Sequence, residues 1–350
     1  MVRALRALLH PAARQVLAAC TLALISVPGI PTHAANVESQ QQAAIEALTR
    51  SRAAVVGVEV TAVGGARSAD TLGQRRSGSG VVIGADGLIL TIGYLVLEAE
   101  TIQLTTHANQ SMPARVVAYD LATGFGLVRP LLPLRGVRPV KMGALADLHP
   151  GDAVIVATGG EDGEVAMAQV VGKRPFSGYW EYHIDAAFFT SPPVGNHSGA
   201  ALLNSRGELL GIGSLLVGDA SGEGKPLPGN MFVPVDLLKP ILAELQQNGS
   251  SRQSRRPWLG LTSAERQGRV QVVRVTKDSP AEAAGLEPGD VVVAVDGTEV
   301  ATLETFYKNL WARPSPDAEV RLTVLRGSIT RAVTLRGVDR TTTIAKPAGI

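Results

Sequence analysis

Cysteine and aromatic residues are both scarce in this sequence. Its 350 residues include one cysteine, Cys20, and only 4% are Phe, Trp or Tyr. A single cysteine excludes a disulfide within the chain. Glycine and proline are plentiful instead, with 38 and 21 residues. This balance favours short strands joined by many turns over long helices, and the length favours two domains over one.

The sequence also has little net charge of either sign. The formal charge is +2, and Arg3, Arg6 and Arg14 lie in the first 34 residues, which contain no acidic residue. The remainder therefore carries a formal charge of −1, which gives no electrostatic case for binding nucleic acid or an anionic membrane. No group of His, Asp and Glu residues has the spacing of metal ligands, so we expect neither a metal nor another cofactor.

Residues 1–34 have the features of a secretory signal peptide. The basic residues precede an apolar run, Val16–Ile30, and small residues follow up to Ala34, where we expect cleavage. The apolar run is shorter than the ~20 residues of a comfortable membrane span. Cleavage would remove Cys20, and a cysteine-free exported chain indicates the bacterial periplasm. An uncleaved membrane anchor and a lipid on Cys20 are the alternatives that the sequence leaves open.

A short helical segment and a β-rich region follow the signal. Segment 35–50 has apolar residues at helical spacing, which predicts an amphipathic helix over Ser39–Arg50. In region 51–247, brief apolar runs alternate with turn residues, which indicates antiparallel barrels or a sandwich. Gly87 and Gly207 occupy turns where a positive φ is expected, and Val235–Gln247 is predicted to form an amphipathic helix. The predicted strands are Gly80–Ile83, Leu88–Ile92, Ile102–Thr105, Arg115–Ala118, Ala153–Ala157, Val165–Val171, Ala200–Leu203 and Leu209–Leu216.

A second, smaller unit follows a polar linker. Residues 248–257 are basic and without periodicity, so we expect an exposed linker that proteases can reach. Residues 258–338 contain strand and helix patterns of their own, whereas residues 339–350 are predicted to be disordered. The elements predicted in this unit are strands near Val270–Val275, Val291–Val295 and Val320–Leu325, and a helix at Leu303–Trp311.

Several stretches, in their order along the chain, resemble a known protein family. Gly78–Ile83, Gly195–Leu202 and Phe232–Pro234 resemble the opening hairpin, the serine loop and the end of the second barrel of HtrA/DegP-type serine proteases. Asp278–Leu286 and Pro288–Val292 strongly resemble the PDZ domain that follows in that family. The resemblance implies a mainly β fold: a trypsin-like double six-stranded antiparallel β-barrel, then an α+β PDZ domain.

The resemblance also identifies the positions of a catalytic triad. The family's serine falls on Ser198, whereas Tyr94 occupies its histidine position and Gly124 its aspartate position. A serine hydroxyl is a poor nucleophile without a positioned base, and a tyrosine with a pKa near ~10 keeps its proton at neutral pH. We therefore expect a catalytically degenerate member of the family, a pseudoprotease.

Other residues near Ser198 are weak substitutes for the missing groups. His197 adjoins the serine, but neighbouring side chains on a tight turn diverge. We interpret His183 and His107 as packed or surface residues, and Asp185 as a hydrogen-bonding residue of a strand.

The loop before the serine is also altered. Asn196 stands where the oxyanion hole of the family has glycine, and Pro192 and Pro193 lie in a loop that is several residues longer than the family pattern. We interpret Ser198 as a turn residue retained from an active ancestor.

The PDZ-like unit keeps the features of a peptide-binding domain. Trp258-Leu259-Gly260-Leu261 resembles the loop that binds a peptide's terminal carboxylate. A peptide would add as a strand beside this segment, and its apolar side chains would enter a groove lined by the helix. The predicted peptide-binding residues are Trp258, Leu259, Gly260, Leu261, Leu303, Phe306, Tyr307 and Leu310.

Two functions follow as hypotheses. The first is an exported pseudoprotease that binds unfolded segments or apolar C-termini of polypeptides, in periplasmic quality control or as a scaffold. The second is an active serine-type endopeptidase in which Ser198 uses a non-standard base. The assemblies considered are a homotrimer and a hetero-oligomer with an active relative.

Overall fold

The computed structural model describes residues 45–345, apart from the side chain of Asp147. The predicted signal peptide, the start of the predicted helix Ser39–Arg50 and the last five residues lie outside this range. Helix α1, residues 45–53, opens the described chain and ends slightly later than predicted. Among the helices of residues 45–345, none combines the length and the apolar character of a membrane span.

Six strands form a first closed antiparallel barrel. They are β1 (Val55–Ala62), β2 (Arg75–Val82), β3 (Ile89–Ile92), β4 (Ala99–Thr105), β5 (Ser111–Tyr119) and β6 (Phe125–Pro130). Their order around the barrel is β1-β2-β3-β6-β5-β4. Val58, Leu90 and Phe125 are fully buried in the core. Two short helices, α2 (Ala69–Leu72) and α3 (Gly93–Val96), lie in the connections.

A second closed antiparallel barrel follows, with Phe188 and Phe232 buried in its core. Its strands are β7 (Ala153–Ala157), β8 (Val165–Gly178), β9 (Tyr182–Ser191), β10 (Ala201–Leu203), β11 (Leu209–Val217) and β12 (Gly229–Pro234). They close in the order β10-β11-β12-β9-β8-β7. Strands β8 and β9 are the longest of this barrel and are joined by residues 179–181, which we call the β8–β9 turn.

The third unit is an α+β domain. Its strands are β13 (Pro257–Trp258), β14 (Leu261–Arg266), β15 (Arg269–Val275), β16 (Val291–Val295), β17 (Thr298–Glu299), β18 (Glu319–Arg326), β19 (Ile329–Arg336) and β20 (Val338–Asp339). The main sheet runs β14-β15-β16-β18-β19, with β17 beside β16, and β13 pairs with β20. Its helices are α5 (Pro280–Ala283) and α6 (Leu303–Trp311), and the Thr302 side chain caps α6.

The architecture confirms the predicted fold class. Ala153–Ala157, Val291–Val295 and the helix Leu303–Trp311 have the predicted bounds, and the other predicted strands overlap observed ones. Gly87 and Gly207 adopt φ values of 80° and 73°, as their turn positions predicted. The strands predicted with bounds did not include β1, β6, β9 and β12 of the barrels, nor β13, β14, β17, β19 and β20 of the third unit.

The helix predicted over Val235–Gln247 is observed as an α-helix only from Leu242 onward. A 3₁₀ turn at Val235–Leu237 is followed, after a break, by α4 (Leu242–Asn248). Pro240 accounts for the break. Proline has no N–H to donate to a helical hydrogen bond, and it disfavours helical backbone at the residue before it.

The disorder predicted for residues 339–350 is also wrong for residues 339–345. Asp339 ends β20, and a 3₁₀ turn at Arg340–Thr343 follows it. The Ala345 amide then donates to the Glu98 carboxylate over 3.0 Å, which attaches this segment to the first barrel. Periodicity alone does not reveal such an anchor, because both partners are ordinary polar groups far apart in the chain.

The predicted linker contacts the first barrel at Asp120, and the expectation that it is exposed is wrong for three of its residues, Ser251, Ser254 and Pro257. Ser251 and Ser254 are buried, and each donates its hydroxyl to Asp120 over 2.5 Å. Thr123 donates its amide and its hydroxyl to the same carboxylate. Burial by itself would raise the pKa of Asp120, but the donated hydrogen bonds outweigh it and hold the pKa below its usual value.

We expect Asp120→Asn to destabilise the protein by about 2–4 kcal/mol, because an amide nitrogen faces hydroxyl donors that it cannot satisfy. Urea denaturation at pH 7 measures this loss. The stabilisation by the carboxylate is present above the unfolded pKa near ~3.9 and disappears as the pH falls through the folded pKa, so the two proteins converge in acid. The exposed Asp162→Asn is the control, and equal stability of all three proteins would contradict the assignment.

Candidate functional site

The loop that carries Ser198 is held between the two barrels. The Ser79 amide, on β2, donates to the Ser198 carbonyl over 2.8 Å, and the Gly199 amide donates to the Gly213 carbonyl on β11 over 2.8 Å. Gly199 has a φ of 74°, and a Cβ there would lie 1.9 Å from the Ser79 carbonyl oxygen. The position therefore accepts only glycine, and the serine has a defined place.

Ser198 and Tyr94 are brought together, although they are 104 residues apart in the chain. The Tyr94 hydroxyl lies 2.7 Å from Ser198 Oγ and 2.9 Å from the Ser214 carbonyl oxygen. Tyr94 lies in α3, where the Arg76 guanidinium donates to its carbonyl. A phenol has one proton, so Tyr94 donates to one of these two oxygens at a time.

The environment of Tyr94 opposes its use as a base. Burial raises its pKa to about 12, and the hydrogen bond with Ser198 offsets only part of that effect. A base that acts near neutral pH needs a pKa close to that pH. At neutral pH the Tyr94–Ser198 pair is therefore two protonated hydroxyls.

Gly124 adopts a conformation that suits glycine better than aspartate. Its φ is 80°, and a Cβ there would lie 3.1 Å from the hydroxyl of Tyr182. The Gly124 carbonyl accepts from the Gly93 amide over 2.7 Å, beside Tyr94. Tyr182 donates to the Thr123 carbonyl over 2.7 Å, so the tyrosine ring is fixed where an aspartate side chain would need room.

The histidines considered as substitutes have other partners. His197 Nδ1 lies 3.0 Å from the Gly195 carbonyl, and burial lowers the pKa of its imidazole. His183 contacts Ser177 Oγ at 2.9 Å, and His107 is exposed in a loop. Within residues 45–345, the structure gives Ser198 Oγ no hydrogen bond to an imidazole or a carboxylate.

Tertiary structure assembles one acidic and imidazole cluster that the sequence spacing did not indicate. His183 and Asp185 on β9 meet Glu304 on α6, with potential metal-ligand atoms within 4.8 Å of one another. The Lys308 ammonium lies 2.9 Å from Asp185 and 2.7 Å from Glu304. The Lys308 ammonium therefore already provides a positive charge between the two carboxylates. We interpret the cluster as a contact between the second barrel and the α+β domain.

The predicted carboxylate-binding loop, residues 258–261, binds a carboxylate of the chain itself. The amides of Leu259, Gly260 and Leu261 donate to Glu181 in the β8–β9 turn, over 3.1, 2.8 and 2.8 Å. Glu181 was not among the predicted site residues. Its positive φ of 56°, unusual for glutamate, is visible only in the structure.

The helical residues of the predicted groove have a double role. Leu303, Phe306, Tyr307 and Leu310 are all buried in the core of the α+β domain. Tyr307 also reaches out of that core, because its hydroxyl donates to the Gly178 carbonyl at the end of β8 over 2.8 Å. A role of these residues in peptide binding stays a prediction.

Comparison with known proteins agrees with this arrangement. A family model described as a trypsin-like peptidase domain matches residues 78–212, and one described as a PDZ domain matches residues 257–336. The chain is 29% identical over 265 residues to a probable periplasmic serine endoprotease, DegP-like, of Chlamydia pneumoniae, covering 71% of this chain and 52% of the relative. It is 26% identical over 276 residues to the serine endoprotease DegS of Haemophilus influenzae, covering 73% and 75%.

Solved structures share the fold. The HtrA-type protease AlgW with tripeptide superposes with a TM-score of 0.53 at 20% identity, covering 84% of this chain and 96% of that one. A serine endoprotease from Yersinia pestis gives a TM-score of 0.52 at 22% identity, covering 85% and 97%.

Fold and site thus define a trypsin-like peptidase domain followed by a PDZ domain. The chain is thus similar, in its two domains and in their order, to HtrA/DegP-type serine proteases. It spans about half the length of the DegP-like relative and three quarters of DegS.

The triad should not be restored by replacing its two missing members. We expect Gly124→Asp to destabilise the fold by about 1–3 kcal/mol, because it combines left-handed backbone strain with contact against Tyr182. Thermal or urea unfolding measures the loss, and the double variant Tyr94→His/Gly124→Asp is expected to hydrolyse no casein. Gly136→Asp is the matched control, since Gly136 has a φ of 75° and open space around it. Equal stability of Gly124→Asp and Gly136→Asp, or recovered proteolysis, would refute the steric argument.

Proposed function

We propose that this protein is an exported HtrA-type pseudoprotease that binds unfolded segments or C-termini of polypeptides through its PDZ domain. It would act in periplasmic protein quality control or as a scaffold. The observation that carries the proposal is the pairing of Ser198 with the Tyr94 hydroxyl. This pairing leaves the serine without a group that takes its proton.

Chemical magnitudes support inactivity. Loss of triad members lowers the rate of serine proteases by roughly 10⁴–10⁶-fold. Here the base position holds a phenol with a pKa of about 12, and the position that orients the base is Gly124. Neither supplies the proton acceptor that acyl transfer requires.

Peptide binding is supported by the geometry of the PDZ domain. Strand β14 is at the edge of its sheet, with α6 packed beside it, which is the setting for addition of a peptide strand. The amides of Leu259, Gly260 and Leu261 converge on one carboxylate. A terminal carboxylate has the same oxygen geometry as the Glu181 side chain, so the same donors suit both.

The relatives support the cellular setting and the kind of ligand. The DegP-like relative is named as periplasmic, which agrees with the signal expected in residues 1–34. AlgW was solved with a tripeptide, so a protein of this fold accommodates short peptides. A homotrimer or a hetero-oligomer with an active relative is the assembly we propose.

An active endopeptidase is the competing function, because the matched relatives are named serine endoproteases and Ser198 is retained. A fluorophosphonate probe decides between the two. We expect no labelling of Ser198 between about pH 6 and pH 9, since Tyr94 keeps its proton throughout that range. Intact-mass spectrometry measures the adduct, with Ser198→Ala as the background. Stoichiometric labelling that disappears in Ser198→Ala would overturn the pseudoprotease proposal.

Carboxylate recognition is tested with peptides that end in an apolar residue. The free acid is expected to bind at least ~10-fold more tightly than the amide-capped peptide, because hydrogen bonds to a charged group are worth about 1.5–3 kcal/mol. Fluorescence anisotropy with matched labelled peptides measures the ratio. Equal affinity of acid and amide would contradict carboxylate binding by the PDZ loop.

A further inference from the structure

The β8–β9 turn lies in the groove that a PDZ ligand would occupy. Its Glu181 carboxylate receives the three loop amides described above, and only 4% of the residue is exposed. The Ser263 amide, on β14, donates to the Tyr179 carbonyl over 2.9 Å. One main-chain hydrogen bond thus joins the turn to the edge strand, along which an added peptide strand would bind.

The opposite wall of the groove also holds this turn. The Tyr307 hydroxyl on α6 donates to the Gly178 carbonyl over 2.8 Å and accepts from the Glu181 amide over 3.3 Å. Lys308, one residue further along α6, forms an ion pair with Asp185 on β9. The turn is therefore bound on both sides, by the strand and by the helix.

Glu181 is an unfavourable residue for the turn itself. The last position of a three-residue hairpin loop commonly adopts left-handed backbone, where glycine is preferred. Glu181 has a φ of 56° there, a conformation that costs a side-chain-bearing residue about 1–2 kcal/mol. Its carboxylate is also buried, and burial disfavours a charge unless donors surround it. Local structure does not account for a glutamate at this position, whereas the three PDZ amides do.

We propose that the β8–β9 turn is an intramolecular pseudo-ligand of the PDZ domain, with Glu181 in the place of a peptide's terminal carboxylate. A polypeptide C-terminus binds only when it displaces this turn. The proposal rests on the peptide-binding function proposed above and adds its regulation: the groove is closed in the resting protein and opens in competition with a ligand.

Displacement of the β8–β9 turn would also move residues that line the cleft around Tyr94 and Gly124. Trp180 and Tyr182 flank Glu181, and both line the cavity beside Tyr94 and Gly124. Arg340 lines the same cavity and donates to the Trp180 carbonyl over 3.1 Å. The β8–β9 turn therefore contacts the PDZ groove on one side and lines the cleft on the other.

The test compares the purified chain with Glu181→Gly. This substitution removes the carboxylate and relieves the backbone strain of the turn. Asn109→Gly is the matched control, because Asn109 has a φ of 55° in an exposed turn of the first barrel. Hydrogen exchange at the amides of residues 259–261 is measured first, without any peptide. Fluorescence anisotropy then measures binding of a labelled peptide that ends in an apolar residue with a free carboxylate.

We expect Glu181→Gly to exchange the 259–261 amides at least ~10-fold faster than the unsubstituted chain, and Asn109→Gly to leave them unchanged. We also expect Glu181→Gly to bind the free-acid peptide at least ~10-fold more tightly, because apparent affinity falls with the fraction of open groove. The amide-capped peptide should gain no comparable affinity.

The outcomes separate this proposal from the function on which it rests. Unchanged exchange at residues 259–261 in Glu181→Gly would overturn the pseudo-ligand. Equal affinity of Glu181→Gly and the unsubstituted chain for the free-acid peptide would overturn it as well. Faster exchange without peptide binding would support the pseudo-ligand and contradict peptide recognition by this PDZ domain.

Discussion

The arrangement of the two domains depends on one buried carboxylate. Glu181 lies in the tight β8–β9 turn of the second barrel, and its carboxylate accepts hydrogen bonds from three backbone amides of the PDZ loop. A carboxylate at such depth is tolerable only when its oxygens are satisfied, and here the donors belong to a different domain. Both domains therefore lose a satisfied polar group if they separate. The Tyr307 hydroxyl and the Arg340 guanidinium add bonds to the same turn.

The protease-like cleft differs from a catalytic triad at Tyr94 and Gly124, and the side chains packed around these two positions differ with them. Tyr94 fills the histidine position and ties Ser198 to the Ser214 carbonyl. Gly124 allows Tyr182 to approach, and Tyr182 in turn stacks on Trp180 of the β8–β9 turn. The stacked rings of Tyr182 and Trp180 thus connect the cleft to the β8–β9 turn, which we propose occupies the PDZ groove. The proposed loss of catalysis and the proposed closure of the groove therefore involve neighbouring side chains.

Much of the fold could be predicted because its signals are local. Brief apolar runs between turn residues predicted eight of the twelve barrel strands, and the helix predicted over Leu303–Trp311 is observed with those bounds. The failures have physical causes of longer range. Pro240 divides the helix expected over Val235–Gln247, and Asp120 draws Ser251 and Ser254 of a seemingly flexible linker into the interior. Composition describes such a linker correctly as polar, but not where its hydroxyls donate.

The sequence by itself gave rise to the family resemblance, to the prediction that Tyr94 and Gly124 occupy the histidine and aspartate positions of the triad, and to the PDZ loop predicted at residues 258–261. These are properties of single positions within recognisable motifs. Tertiary structure alone decided that the retained serine faces a phenol and that the loop holds Glu181, about 80 residues away in the chain. No motif contains both partners of either contact. Each forms only after the barrels close and the third domain packs against them, because hydrogen-bond partners are set by proximity in space and not by spacing along the chain.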